Sequence, residues 1–141
     1  MNNIIVITAI SAWMISQLSK VAFGYFKHGA GDLKRAPWRI IWASGMPSSH
    51  SSLTISVLTI IGLKYGLNNE LFGLSFVIAG ITIYDRSRMF KIFSTFQKKF
   101  PALQKKVEDD PEIKELVGHS ISEIIVGCII GFFTGVLVYA L

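Results

Sequence analysis

The chain has 141 residues, enough for one domain. Hydrophobic residues make up 51% and charged residues 16%, with a mean hydropathy of +0.50. A soluble domain carries about 25% charged residues, so a membrane protein is favoured, and disorder, fibrous repeats and a disulfide scaffold are excluded. The net charge of +5 is expected to mark loops that stay beside anionic lipid on the cytoplasmic side, with no nucleic-acid partner.

The first apolar block covers residues 4–26 and is interrupted only by Gln17 and Lys20. It exceeds the roughly 20 residues a helix needs to cross the hydrocarbon core. No basic residue precedes it and no small-residue cleavage site follows it, so it does not read as a signal peptide. A basic linker comes next, with Lys27, His28, Lys34, Arg35 and Arg39. Then GMPSSHSS, residues 45–52, opens a second apolar block that runs to Leu67. The third block, 71–84, follows a short Asn68-Asn69-Glu70 turn. These two middle blocks are short. They suffice as spans only if the second starts near Ser49 and the third continues past Asp85, and otherwise they are arms of a re-entrant hairpin.

After the third block come Arg86, Arg88, Lys91, Lys98, Lys99, Lys105, Lys106 and Lys114, and from Gln97 to Glu115 the stretch reads as a solvated helical excursion broken at Pro111. The last block, 117–141, carries His119 and Glu123 in its first turns. Further on, Gly127, Gly131 and Gly135 are four apart, a spacing that permits close helix contact within the chain or in a homodimer. The single Cys128 can form no internal disulfide.

The fold class expected is all-α: an integral membrane bundle of about four transmembrane helices, in one domain over 1–141, with a cytoplasmic helical loop. The spans fall at about 4–26, 49–67, 71–86 and 117–141, and the loop at about 87–116. Four spans put both basic linkers on one side, which the positive-inside rule makes cytoplasmic. The expected location is therefore the cytoplasmic membrane, of a bacterium, with the site facing the cytoplasm.

Ionisable groups within or beside spans are costly, and function is their default explanation. Lys20 lies about two turns from the cytoplasmic end of the first block. His50 opens the second block, Asp85 closes the third, and His119 with Glu123 opens the fourth. Four segments thus bring polar groups to one membrane face. For any one of them a bland role remains open, such as Lys20 snorkelling to the interface.

On a helix, residues four apart share a face, so Glu123 can accept a proton from one nitrogen of His119 and leave the other as nucleophile or base. The same pair also suits a metal. With one further nearby histidine, no carboxylate cluster and a surplus of cations, no metal and no cofactor are expected. Those cations favour a phosphate. Gly45 and Pro47 shape a turn, after which Ser48, Ser49 and the first free amides of the second block can donate to its oxygens. A helix cap needs one hydroxyl, and Ser48, Ser49, Ser51 and Ser52 supply more.

Four stretches carry a family resemblance: Gln17-Leu-Ser-Lys20, Ser44-Gly-Met-Pro-Ser-Ser-His-Ser51, Tyr84-Asp85 and Leu116-Val-Gly-His-Ser-Ile-Ser-Glu-Ile-Ile-Val-Gly127. In that order they resemble the divergent branch of the type 2 phosphatidic acid phosphatases, related to acid phosphatases and vanadium-dependent haloperoxidases. The resemblance implies that His119 attacks phosphorus to form a phosphohistidine, assisted by Glu123, and that His50 protonates the leaving alcohol. It implies phosphate-binding roles for Lys20, Ser48, Ser49 and an arginine, with Asp85, Gly45 and Gly118 supporting. The chain departs from the family at Asp85, which is followed by Arg86-Ser-Arg-Met-Phe-Lys91 in place of Gly-Val-Arg-Arg, and at Ala43-Ser-Gly-Met in place of Ser-Gly-Gly-Met. Arg86, Arg88, Lys91 and Arg35 are thus all candidates for the phosphate-binding cation.

A site at the interface, walled by apolar helices, suits a phosphate monoester or diphosphate on a cytoplasmic-leaflet lipid. The expected function is therefore a metal-independent lipid phosphatase whose partners are its phosphorylated lipid and the bilayer. Two alternatives stay open: an anionic-headgroup-binding protein weakened in catalysis, and a structural or accessory membrane subunit.

Overall fold

The structure is a computed structural model and describes residues 3–28, 46–100 and 118–141. Those residues form four helices and no strand: α1 (Ile4–His28), α2 (Ser49–Tyr65), α3 (Glu70–Lys99) and α4 (Ile121–Ala140). At about 1.5 Å per residue, they are about 37, 25, 45 and 30 Å long. Helix ends follow local chemistry. Ser48 caps α2, Asn69 caps α3 by accepting from the Leu71 amide at 2.9 Å, and Ser120 caps α4. Gly66, with φ 84°, ends α2.

The loop expected from residue 87 begins instead as the continuation of α3, which runs unbroken to Lys99. Between Asp85 and Lys99 there is no glycine or proline. Met89, Ile92, Phe93 and Phe96 there keep the spacing of one helical face. The helix stops where Phe100 precedes Pro101, because a following proline pushes a residue out of the α region. The rest of the expected loop, 101–117, lies outside the described residues.

The polarity of the bundle is inverted relative to a soluble protein. Its interior holds Thr8, Ala12, Ser16, Gln17 and Lys20 from α1, serines of α2, Ser75 and Ala79 of α3, and Thr134 of α4. Large apolar side chains point outward, among them Ile10, Met14 and Leu18 of α1, Leu74 and Phe76 of α3, and Phe133 and Leu137 of α4. Lipid solvates such side chains as well as a core does, so membrane helices associate through small residues and interhelical hydrogen bonds. Helices α1, over Ile4–Phe26, and α4 are each long and apolar enough to cross a membrane.

Helix α2 is central and packs on the other three, most extensively on α4. Their seam pairs Ser48 with Gly127, Ser52 with Gly131, and Ser56 and Thr59 with Gly135. A Cβ on Gly127 or Gly131 would overlap the carbonyl oxygen of Ser48 or Ser52, and one on Gly135 would stand 2.7 Å from Thr59 Cβ. The glycine stripe is thus occupied within the chain. Serines placed every fourth residue let the two backbones meet.

Candidate active site

His50 lies in the first turn of α2, and His119 in the extended segment just before α4. Three contacts bring these starts together. The Ser48 amide donates to the Glu123 carbonyl at 3.0 Å, across the Gly127 approach. The His119 amide donates to the Arg86 carbonyl of α3 at 3.2 Å. Gly118 fits against α3 with φ +81°, where an added Cβ would meet Arg86 O at 2.6 Å and Phe90 N at 2.8 Å. Positive φ strains any residue with a Cβ, so both backbone angle and available space require glycine there. The ring centroids of His50 and His119 end up 6.2 Å apart.

Each histidine is held through one nitrogen. Glu123 Oε2 lies 3.1 Å from His119 Nδ1 and accepts from the Ser120 amide at 3.1 Å, while the Ser120 hydroxyl accepts from the Glu123 amide. Glu123 is therefore both the orienting carboxylate and the third residue of a capping box. Ser120-x-x-Glu123 in the sequence is the signal of that second role. With the Nδ1 proton directed at the carboxylate, the Nε2 lone pair of His119 is left for chemistry. His50 Nε2 lies 3.0 Å from Arg86 Nη2. An arginine can only donate, so this imidazole nitrogen is the acceptor.

Arg86 thus touches both histidines, one through its guanidinium and the other through its carbonyl. Of the four cations proposed at this position, it alone is seen to contact the histidine pair. Arg88 turns to Tyr84, 3.4 Å from the phenol oxygen and 5.9 Å from the ring centre, while still lining the groove described below. Lys91 is exposed and is absent from the groove wall. Arg35 lies outside the described residues, as does Gly45.

Lys20 is 7% exposed, so it sits inside the bundle and does not snorkel. The two serines also face inward. Ser49 donates to Gln17 Oε1 at 3.2 Å, and Ser48 Oγ accepts from the Ser51 hydroxyl at 3.0 Å and from its amide at 3.4 Å. Ser52 donates to the Ala12 carbonyl at 3.3 Å. Gln17 and the glycine seam are contributors that sequence reasoning did not place at the site. The signal for the seam was the four-residue spacing shared by Ser48, Ser52 and Ser56 with Gly127, Gly131 and Gly135, and for Gln17 its place as a polar interruption of the first apolar block.

A groove of about 660 Å³ opens beside this centre, lined by His50, Thr82, Asp85, Arg86 and Arg88 together with Ile81, Met89 and Ile92. It reaches His50 and Arg86 but not His119, which is 5% exposed. Among the described residues, no three His, Cys, Asp or Glu side chains converge as a metal site would require.

A curated membrane protein from Bacillus subtilis strain 168, the uncharacterized YuiD, is 27% identical, covering 99% of this chain and 96% of its own. No solved structure matches the chain. The family model described as the divergent PAP2 family matches residues 1–134. That match takes in Lys20, His50, Asp85, His119 and Glu123, and by it the chain belongs to the divergent PAP2 family.

Proposed function

We propose that the protein is a membrane phosphatase that hydrolyses a phosphate monoester or diphosphate on a lipid of the cytoplasmic leaflet. The observation that carries this reading is the histidine pair, with centroids 6.2 Å apart and His119 held through Nδ1 by Glu123. His119 Nε2 attacks phosphorus, the P–O bond to the lipid alcohol breaks, and a phosphohistidine forms. His50, which takes up a proton from solvent at Nε2 once Arg86 has left it, gives that proton to the departing alkoxide. Water then attacks the phosphohistidine, His50 accepts its proton, and inorganic phosphate leaves with His119 restored.

Arg86 leaves His50 Nε2 for the phosphate oxygens when substrate enters. This frees the acid nitrogen and opens the way from the groove to His119. Arg86 and Lys20 then balance charge on the transferring phosphoryl group, where fixed cations contribute most. In this reading all four helices cross the cytoplasmic membrane, with the basic linkers and the site on the cytoplasmic side. YuiD, named a membrane protein, supports the membrane location.

The experiment is phosphate release from lipid phosphates in detergent micelles, without divalent metal, for wild type, His119→Ala and His50→Ala. Release by wild type that falls to background in His119→Ala supports the reading. Wild-type protein that releases phosphate from no lipid sinks it. The low exposure of His119 favours one second reading, a protein that binds phosphorylated headgroups without turnover. Saturable lipid binding by the same inactive wild type would select it.

A further inference from the structure

Among the described residues, Asp85 is the only carboxylate on the groove wall. Arginines follow it at 86 and 88, yet among the described residues Asp85 makes no ion pair and no hydrogen bond through its side chain. The reason lies in where its neighbours are turned. Arg86 reaches His50, and Arg88 reaches Tyr84. The groove therefore presents an open acceptor beside the cations that suit a phosphate. A lone carboxylate there repels the phosphate unless it has a task of its own. On the groove wall it stands with His50, the proton donor to the leaving alcohol in the phosphatase reading, and so on the leaving-group side.

We infer that Asp85 recognises a free hydroxyl on the alcohol that bears the scissile phosphate, so that the substrate is a lipid phosphomonoester with a hydroxylated headgroup. The inference rests on the phosphatase reading only for which side of the phosphate Asp85 faces. A carboxylate accepts from a hydroxyl or from an ammonium. With Arg86 and Arg88 on the same wall, a further positive charge is disfavoured and a neutral donor is preferred. The apolar part of the ligand lies along Ile81, Met89 and Ile92, which are 57%, 47% and 48% exposed on the outer side of α3. Lipids whose phosphate is esterified to an alcohol without a free hydroxyl, such as phosphatidic acid or a polyprenyl phosphate, offer the Asp85 carboxylate no donor. A site built around a hydrogen bond discriminates strongly against a ligand that lacks it.

The test compares two lipids with the same acyl chains: phosphatidylglycerol phosphate, which has a hydroxyl beside its terminal phosphate, and phosphatidic acid, which has none. Binding is measured by titration in detergent micelles on His119→Gln protein, where turnover is blocked, with and without Asp85→Asn. A hydrogen bond to a charged group corresponds to roughly a 10- to 100-fold preference. The hydroxylated lipid is therefore expected to bind about 10- to 100-fold more tightly, and Asp85→Asn should bring the two within about twofold. Equal affinities without Asp85→Asn overturn the inference, as does a preference that survives it. Chain-free glycerol 1-phosphate serves as a third ligand, and affinity equal to that of the lipid overturns the lipid assignment. Phosphate release by wild type is followed in parallel. Its absence from both lipids counts against the phosphatase reading alone, because the binding comparison still decides the role of Asp85.

Discussion

Replacing Gly118 with alanine perturbs a point where the segment carrying His119 rests on the backbone of α3. The added Cβ would stand 2.6 Å from the Arg86 carbonyl oxygen and 2.8 Å from the Phe90 nitrogen. An unstrained contact needs about 3.5 Å, so the segment must retreat by roughly 0.9 Å. The φ of +81° adds roughly 1–2 kcal/mol of backbone strain for a residue with a Cβ. Neither partner can yield easily, since both atoms belong to a helix backbone. The retreat stretches the 3.2 Å bond from the His119 amide to Arg86 and draws the imidazole away from His50. A displacement near 1 Å at a reacting group costs about 100-fold in rate. The assay is phosphate release from lipid micelles alongside a thermal melt, with Gly80→Ala as control, since nothing lies within 4 Å of a Cβ there. The expected outcome is a kcat about 100-fold lower, a melt destabilised by roughly 1–3 kcal/mol, and an unaffected control. Full kcat in a destabilised Gly118→Ala protein would refute the reasoning, because the contact would then be packing alone.

Glu123→Gln keeps an oxygen for the Ser120 amide but removes the charge that orients His119. A charge-assisted bond contributes roughly 1.5–3 kcal/mol, so kcat should fall roughly 10- to 150-fold while helicity by circular dichroism stays unchanged. Gly131→Leu forces bulk onto the Ser52 carbonyl and should cost more than about 3 kcal/mol, read as loss of monodisperse protein. Gly73→Leu, where nothing lies within 4 Å, should purify normally. For orientation, single cysteines at Asn69 and Lys98 in a Cys128→Ser background should label from opposite faces of sealed vesicles. Asn69 should react only from outside and Lys98 only from the cytoplasmic side. Labelling of both from one side would overturn the four-span placement.

The sequence made the helical membrane class legible because block length and hydropathy depend on each segment alone. Lys20, His50, Asp85, His119 and Glu123 could likewise be singled out one at a time, as polar groups at the edges of apolar blocks. What it left open depends on pairing between segments. Four hydroxyls in SSHSS looked like a surplus of donors for an anion. The reason Ser48 and Ser52 are small appears only when α2 is laid against Gly127 and Gly131. The arginine was undecided for a similar reason. Residues 86, 88 and 91 point in different directions around one helix, and only the register of α3 beside α2 brings residue 86 to His50. Continuation of α3 to Lys99 was partly readable, from the missing glycine and proline and from Pro101, but the density of charge there suggested a loop instead.

The inverted interior of the bundle sets which substitutions the protein tolerates. Positions such as Ser52, Gly127 and Gly131 admit almost nothing larger, because backbone atoms lie on the other side of each contact. Positions such as Ile10, Leu74, Phe76 and Phe133 face outward, where lipid accepts any apolar shape. Among related chains, then, the restricted positions should be those of smallest volume, and the variable ones the largest side chains. A drift in sequence that left the bundle intact would rewrite its bulky residues and spare its small ones.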